Sequence, residues 1–157
     1  MPVKKLKDLL ERENVRYVSI RHSPAFTAQE IAAATHIPGK ELAKTVMVKL
    51  NGKMAMAVLP ASHEVDFGKL GEAAEVEKAE LAAEEEFKYM FPDCDIGAMP
   101  PFGNLYDMDV FAADSLAEDD EIAFNAGSHS ELIRLPYRDF ERLVKPKIGK
   151  FARKTRG

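Results

Sequence analysis

The stretch from 41 to 60, ELAKTVMVKLNGKMAMAVLP, leaves the chain little structural choice. Asn51-Gly52 stands between two apolar runs, and these residue types tolerate the positive φ that a tight two-residue hairpin turn requires. Strands are therefore predicted at 43–50 and 53–59, paired antiparallel. Read with period two, Val46, Val48 and Leu50 share one face, and Thr45, Met47 and Lys49 share the other. One further step back along the apolar face puts Lys44 on it. Lysine is among the side chains least often fully buried, so an inward Lys44 needs a partner or a cavity.

Around that hairpin the spacing predicts a first helix at 3–13 from Val3, Leu6, Leu9 and Leu10, then a strand at 15–21. Thr27 and Glu30 form a capping box before an alanine-rich helix that ends near Thr35. Helices are predicted at 64–73 and 79–90, strands at 106–112, 120–124 and 131–135, and a last helix at 137–144 after Pro136. Six strands with four or five helices, lacking regular βαβ alternation, predict an α+β domain on a mostly antiparallel or mixed sheet.

At 157 residues the chain is the length of one domain that buries a real core. No apolar run reaches membrane-span length and no signal-peptide hydrophobic region is visible, so a cytoplasmic protein is expected. Cys94 is a lone cysteine, which excludes an internal disulfide framework and a multi-cysteine zinc site. His22, His36, His63 and His129 lack metal-ligand spacing, and no Walker loop or dinucleotide glycine fingerprint occurs. Asp107 and Asp109 are expected on one face of a strand, a spacing more typical of solvated carboxylates than of an acid–base pair. Charge is uneven: Lys145, Lys147, Lys150, Arg153, Lys154 and Arg156 follow one another without an acid, although the whole chain carries -4. Such a tail is either a nucleic-acid arm or a solvated, frayed end.

Two loops carry chemistry-bearing residues. GAMPPFG (97–103) combines glycines that admit close approach to the backbone with prolines that hold shape, so its remaining N–H groups suit a carbonyl or oxyanion. NAGSHSELIRL places Asn125, Gly127, Ser128 and His129 at a turn between strands.

The lysine of AKTVMVK, then IGAMPPFG, then NAGSHSELIRL ahead of DFERLV, resembles the YbaK/ProX family of aminoacyl-tRNA deacylases, related to the editing insertion of bacterial prolyl-tRNA synthetase. The resemblance spans about 15–144. It implies one editing domain at 1–144, a mixed, mostly antiparallel barrel-like sheet surrounded by helices, with 145–157 as a basic tail. It further implies that Lys44 meets the 3′-terminal adenosine or its phosphate. Gly97, Pro101, Phe102 and Gly103 map onto the family's glycine–proline loop, and Gly127, Ser128 and His129 onto its pocket turn. His22, Ser23 and Thr27 are then expected in a pocket wall. Within this reading Lys44, Gly97, Gly103 and His129 are the catalytic candidates, the others bind substrate, and no metal or cofactor takes part.

The activity implied is hydrolysis of a wrong amino acid, such as Ala, Cys or Ser, from the 3′ end of tRNA, especially tRNA for proline. The aminoacyl-tRNA end is the expected partner, with prolyl-tRNA synthetase a further one and no membrane. A non-catalytic module that binds tRNA ends or a nucleotide remains the alternative.

Overall fold

The computed structural model describes residues 3–24, 28–35 and 37–154. The Thr27 side of the expected capping box, His36 and residues 155–157 lie outside the described residues. The hairpin forms as its turn dictates: β2 (Ala43–Leu50) and β3 (Lys53–Pro60) pair antiparallel from Leu50↔Lys53 to Ala43↔Pro60. Asn51 and Gly52 adopt φ of 51° and 85°, the conformation this turn demands.

The hairpin is the centre of a five-stranded sheet. Antiparallel to β2 on one side lies β5 (Ala79–Leu81); beyond β3 come β6 (Val110–Ala113) and β9 (Lys147–Gly149), both parallel. Alternate β3 residues face two different cores. Met56 and Val58 join Met47, Val110 and Phe124, whereas Ala55, Ala57 and Leu59 join Val48, Leu70, Phe111 and Phe151. A strand buried on both faces reads as a continuous apolar run, which is what MAMAVL is.

A second sheet places β8 (Glu131–Pro136) between β1 (Val18–Arg21) and β7 (Glu121–Asn125), all antiparallel. Helix α1 (Lys4–Arg12) buries Leu6, Leu9 and Leu10, and α5 (Tyr137–Val144) buries Tyr137 and Phe140, closing the larger core. The two sheets meet at a parallel bridge between Leu42 and Ala123, reinforced by the Ala123 N–H donating to the Glu41 carbonyl at 2.9 Å. Beside that bridge α2 (Ala28–Thr35) contributes Ile31 to a small third cluster with Leu42, Ala61 and Leu132. The result is the expected single α+β domain, and its sheets stay open: no closed ring of strands forms among the described residues.

Several predicted boundaries move. The helix expected at 64–73 begins at Phe67, because His63–Val65 forms β4 and Asp66 Oδ1 caps α3 (Phe67–Ala74) by accepting from the Lys69 N–H at 3.1 Å. The stretch at 79–90 is not one helix. The open edge of β2 captures Ala79–Leu81 as β5, leaving only α4 (Glu84–Phe87), since an edge of unpaired backbone groups needs a partner. The strand expected at 106–112 starts at Val110. Asp107 sits before it with φ of 57°, so Asp107 and Asp109 do not share a strand face.

The basic segment is not frayed. Beyond α5 it forms β9 and then β10 (Ala152–Lys154), which pairs with β4, while Phe151 between them is fully buried. Burying one phenylalanine is worth about 1.5–3 kcal/mol, enough to dock a segment whose remaining side chains are mostly charged. Among the described residues no helix is long and apolar enough to cross a membrane.

Candidate active site

The inward position read for Lys44 has a structural answer. Opposite Leu59 in the hairpin, it points its half-buried side chain at a partly enclosed cavity of about 160 Å³. Ile31, Leu42, Ala43 and Ala61 give this cavity apolar walls, and Lys44, Thr45, Gly97 and Asn125 give it polar ones. Burial pulls the Lys44 ammonium below the ordinary lysine range, opposed in part by the distant carboxylate of Glu64. Among the described residues Lys44 has no ion-pair or hydrogen-bond partner. Two roomier clefts, about 530 Å³ along α3 and about 400 Å³ along α5, are open grooves. The first is rimmed by Glu72, Glu75 and Glu77, which repel a polyanion such as tRNA.

Topology explains the meeting of Lys44 and Asn125. From the parallel bridge between Leu42 and Ala123 the two strands run on together, so residues two further along reach the same level. Gly97 comes from the loop before Pro100. Its φ of +87° lies in the left-handed region, and a Cβ there would stand 3.5 Å from the His129 ring.

That loop is fastened to the turn after β7. The Asp95 N–H donates to the Gly127 carbonyl at 2.8 Å, and the Gly127 N–H returns to the Ala98 carbonyl at 2.9 Å. His129 Nε2 lies 2.8 Å from the Ile96 carbonyl. A carbonyl only accepts, so Nε2 carries the proton. His129 thus stands behind Gly97 as a clamp on the loop and is not among the cavity's described lining. Among the described residues the Gly97 N–H meets only the Met99 sulfur, at 3.2 Å, a weak acceptor.

Of the residues singled out in the sequence, Lys44, Gly97 and Asn125 share the cavity. Phe102 and Gly103 lie elsewhere: Phe102 is fully buried against Phe124 and Phe140, with ring centroids 5.5 and 5.9 Å away. Gly103 opens a 3-10 turn so tight that a Cβ would fall 2.6 Å from the Met108 carbonyl oxygen. Pro101 is buried beside them. His22 and Ser23 adjoin the 128–130 turn, since the His22 N–H donates to the Ser130 carbonyl at 2.9 Å and its Nδ1 to the Ser23 carbonyl at 2.7 Å. Ser128 Oγ lies 3.4 Å from Ser130 Oγ. Neither this group nor Gly127 lines the cavity, and Thr27 is outside the described residues.

Sequence reasoning left Thr45 and Asn125 without a role. Thr45 sat on the face opposite Lys44, and only the end of the sheet, where the cavity wraps round the strand, exposes both. Cys94 is no nucleophile. Burial pushes its thiol up to about 11, with Tyr106 Oη 3.3 Å away. Among the described residues no three histidine, cysteine or carboxylate side chains gather as metal ligands.

Comparison with known proteins adds to this geometry. Residues 22–143 match the aminoacyl-tRNA editing domain. The multifunctional Ser/Thr-tRNA deacylase ProXp-y of Escherichia coli K12 is 27% identical over 150 residues, covering 92% of this chain and 89% of that protein. A proline–tRNA ligase of Bacillus mycoides KBAB4 is 26% identical over 89 residues, which is 57% of this chain but 16% of the ligase. Two solved structures share the fold. A hypothetical protein superposes with a TM-score of 0.85 at 17% identity, over 95% of this chain and 99% of its own. A candidate trans-editing enzyme for prolyl tRNA synthetase gives 0.80 at 17% identity, over 96% of both chains.

Proposed function

Because this chain belongs to the aminoacyl-tRNA editing domain family, we propose that it is a trans-editing deacylase that hydrolyses the ester between a small wrong amino acid and the 3′ end of tRNA. The observation that carries the site assignment is a half-buried ammonium with no hydrogen-bond or ion-pair partner among the described residues, lining one small cavity together with a left-handed glycine. A charge held out of water in that way is relieved by an anionic or hydrogen-bonding ligand. Lys44 anchors the terminal adenosine through its phosphate or ribose.

The ester is already activated, so a positioned water suffices as nucleophile. Water adds to the ester carbonyl. As the carbonyl oxygen gains negative charge, the Gly97 N–H exchanges the weak sulfur of Met99 for that oxygen. Collapse breaks the acyl–oxygen bond, the free amino acid leaves, and the ribose oxygen recovers a proton as a hydroxyl. The described cavity lining holds no carboxylate, histidine or thiol, so the water's proton passes to the ribose hydroxyl or to solvent. His129 keeps the loop in place and does not act as a base.

Cavity size favours a small substrate. An apolar cavity of about 150 Å³ holds a benzene-sized guest, comparable to an alanyl, seryl, cysteinyl or threonyl group. Such a pocket rejects bulky residues and separates small ones weakly, by about 1–3 kcal/mol per methylene. Basic side chains on β9 and β10 lead toward the cavity, because Lys154 pairs with His63, close in sequence to the lining residue Ala61. They contact tRNA phosphates.

The test is a panel of misacylated tRNAs incubated with catalytic amounts of protein. Multiple-turnover release of alanine, serine, cysteine or threonine, with tRNA for proline among the acceptors, is expected. A second reading, binding without turnover, draws on the same absence of a carboxylate, histidine or thiol from the described lining; stoichiometric protection of the ester in this assay would establish it instead.

A further inference from the structure

The wall of the cavity beside Lys44 contains an acceptor without a partner among the described residues. Asn125 ends β7, its Oδ1 is buried, and no donor among the described residues reaches it. Buried polar atoms almost always have partners, so an exception in a binding cavity marks the place of a ligand group. His22 Nε2, Ser115 Oγ and Asp119 Oδ2 are also buried without hydrogen-bond partners among the described residues, yet none of these residues belongs to the described cavity lining. Asn125 does. Its apolar neighbours Leu42, Ala43 and Ala61 offer no donor from their side chains, and Lys44 does not hydrogen-bond to it.

An amide oxygen accepts and never donates. Its ligand group must therefore carry an N–H or O–H. Lys44 takes the nucleotide end and the Gly97 N–H takes the carbonyl oxygen, which leaves the amino-acid part of the substrate for Asn125. We propose that Asn125 Oδ1 accepts a hydrogen bond from a donor on the edited amino acid, either its α-ammonium or a side-chain hydroxyl, and so sets which aminoacyl group is recognised. This rests on the deacylase reading and adds to it a specificity-determining residue. If the hydroxyl is the donor, the natural substrates are hydroxyl amino acids; if the ammonium, the site demands a free amino group and is indifferent to alanine or serine. A site built around a hydrogen bond rejects an analogue that lacks the donor far better than apolar contact separates shapes.

The test is a cycle between one protein change and two ligand changes. Three hydrolysis-resistant probes are 3′-amido-linked adenosine conjugates: seryl, alanyl (side-chain hydroxyl removed) and 3-hydroxypropanoyl (α-ammonium replaced by hydrogen). Each is titrated calorimetrically into the wild type and into Asn125→Leu, which keeps the volume but removes the acceptor. In the wild type, deleting the recognised donor should weaken binding about tenfold or more, and in Asn125→Leu the same deletion should change nothing, the coupling that such cycles isolate. Coupling to the alanyl change identifies the hydroxyl, and coupling to the 3-hydroxypropanoyl change identifies the ammonium. Equal responses of wild type and variant to both deletions overturn the proposal. Should Asn125→Leu melt early, Asn125→Ala supplies the same cycle. A wild type that binds none of the probes and releases no amino acid from the tRNA panel counts against the deacylase reading itself, an outcome distinct from a bound probe without coupling.

Discussion

Two lysines on one strand behave in opposite ways. Lys49, near the hairpin end of β2, lies 2.6 Å from Glu86 and 3.7 Å from Glu80. The hydrogen bond to Glu86 raises its pKa above the lysine value of 10.5. Lys44, at the other end, has no such partner among the described residues, and burial lowers its pKa. Both positions alternate with core residues, and both side chains carry the same charge. Lys49 fastens β5 and α4 to the sheet; Lys44 lines a cavity, where the proposed function gives it a ligand to hold. A lysine's environment, more than its identity, separates structural from functional use.

The largest expected effect breaks the pair apart. Lys44→Ala should lower kcat/KM for deacylation by about 10²–10³-fold, the scale of losing one preorganised electrostatic contact, while urea melts stay as steep and as late as in the wild type. Full activity in Lys44→Ala would sink the assignment of the site. Lys44→Arg keeps the charge but brings a larger planar fork, and should fold normally with strongly reduced turnover.

Next comes the loop facing Lys44. Gly97→Ala forces a side chain into φ of +87°, costing about 1–2 kcal/mol, and displaces the N–H proposed to meet the carbonyl oxygen. Deacylation should fall about tenfold or more although the variant stays folded. Rates equal to wild type would remove that N–H from the mechanism.

A pH series sharpens the contrast. Burial favours the neutral Lys44 amine, so between its lowered native pKa and 10.5 the unfolded chain binds more protons and stability rises with pH. At neutral pH the buried charge is a burden. Lys44→Met should therefore be more stable than the wild type at pH 7, and the difference should shrink toward pH 10.5. Lys49 runs the other way: its contribution is present below 10.5 and is lost as pH rises through its raised native pKa. Denaturant melts of Lys44→Met and Lys49→Met across pH 7 to 11 test both signs; parallel curves would mean the two sites do not differ.

Smaller effects concern the basic strands and Lys49 itself. Lys150→Ala and Lys154→Ala should each reduce the salt slope of tRNA binding by about one phosphate contact, leaving hydrolysis of a bare aminoacyl-adenosine ester unchanged. Truncating the whole segment is a poor substitute, because it removes buried Phe151 and two strands. Lys49→Ala should leave deacylation within about twofold, since exposed ion pairs contribute little.

The hairpin was legible to within one residue because its turn demands particular residue types and its strands alternate cleanly. Lys44 was legible for the same reason: parity along β2 puts a charge where an apolar side chain belongs. Three-residue strands such as β4, β5, β9 and β10 were not, since too few residues show a period and their partners lie far away in sequence. GAMPPFG misled through its compactness. Its first glycine reaches the cavity while Phe102 and Gly103 turn into the core. Asn125 was hidden because asparagine at a turn ordinarily serves the turn; only its buried, unanswered oxygen distinguishes it.

The pairing of β10 with β4 has a consequence in time. The β2–β3 strands close a two-residue loop, whereas the Arg153–Glu64 contact joins residues 89 apart in sequence. Loop-closure entropy differs between them by about 3 kcal/mol, so the hairpin assembles early and the β4–β10 pair late. Asp66, whose N–H donates to the Phe151 carbonyl at 2.7 Å, caps α3 in the finished fold. The cavity rim near Ala61 is thus braced last, and a chain caught midway has its central strands in place and the mouth of the cavity unsupported.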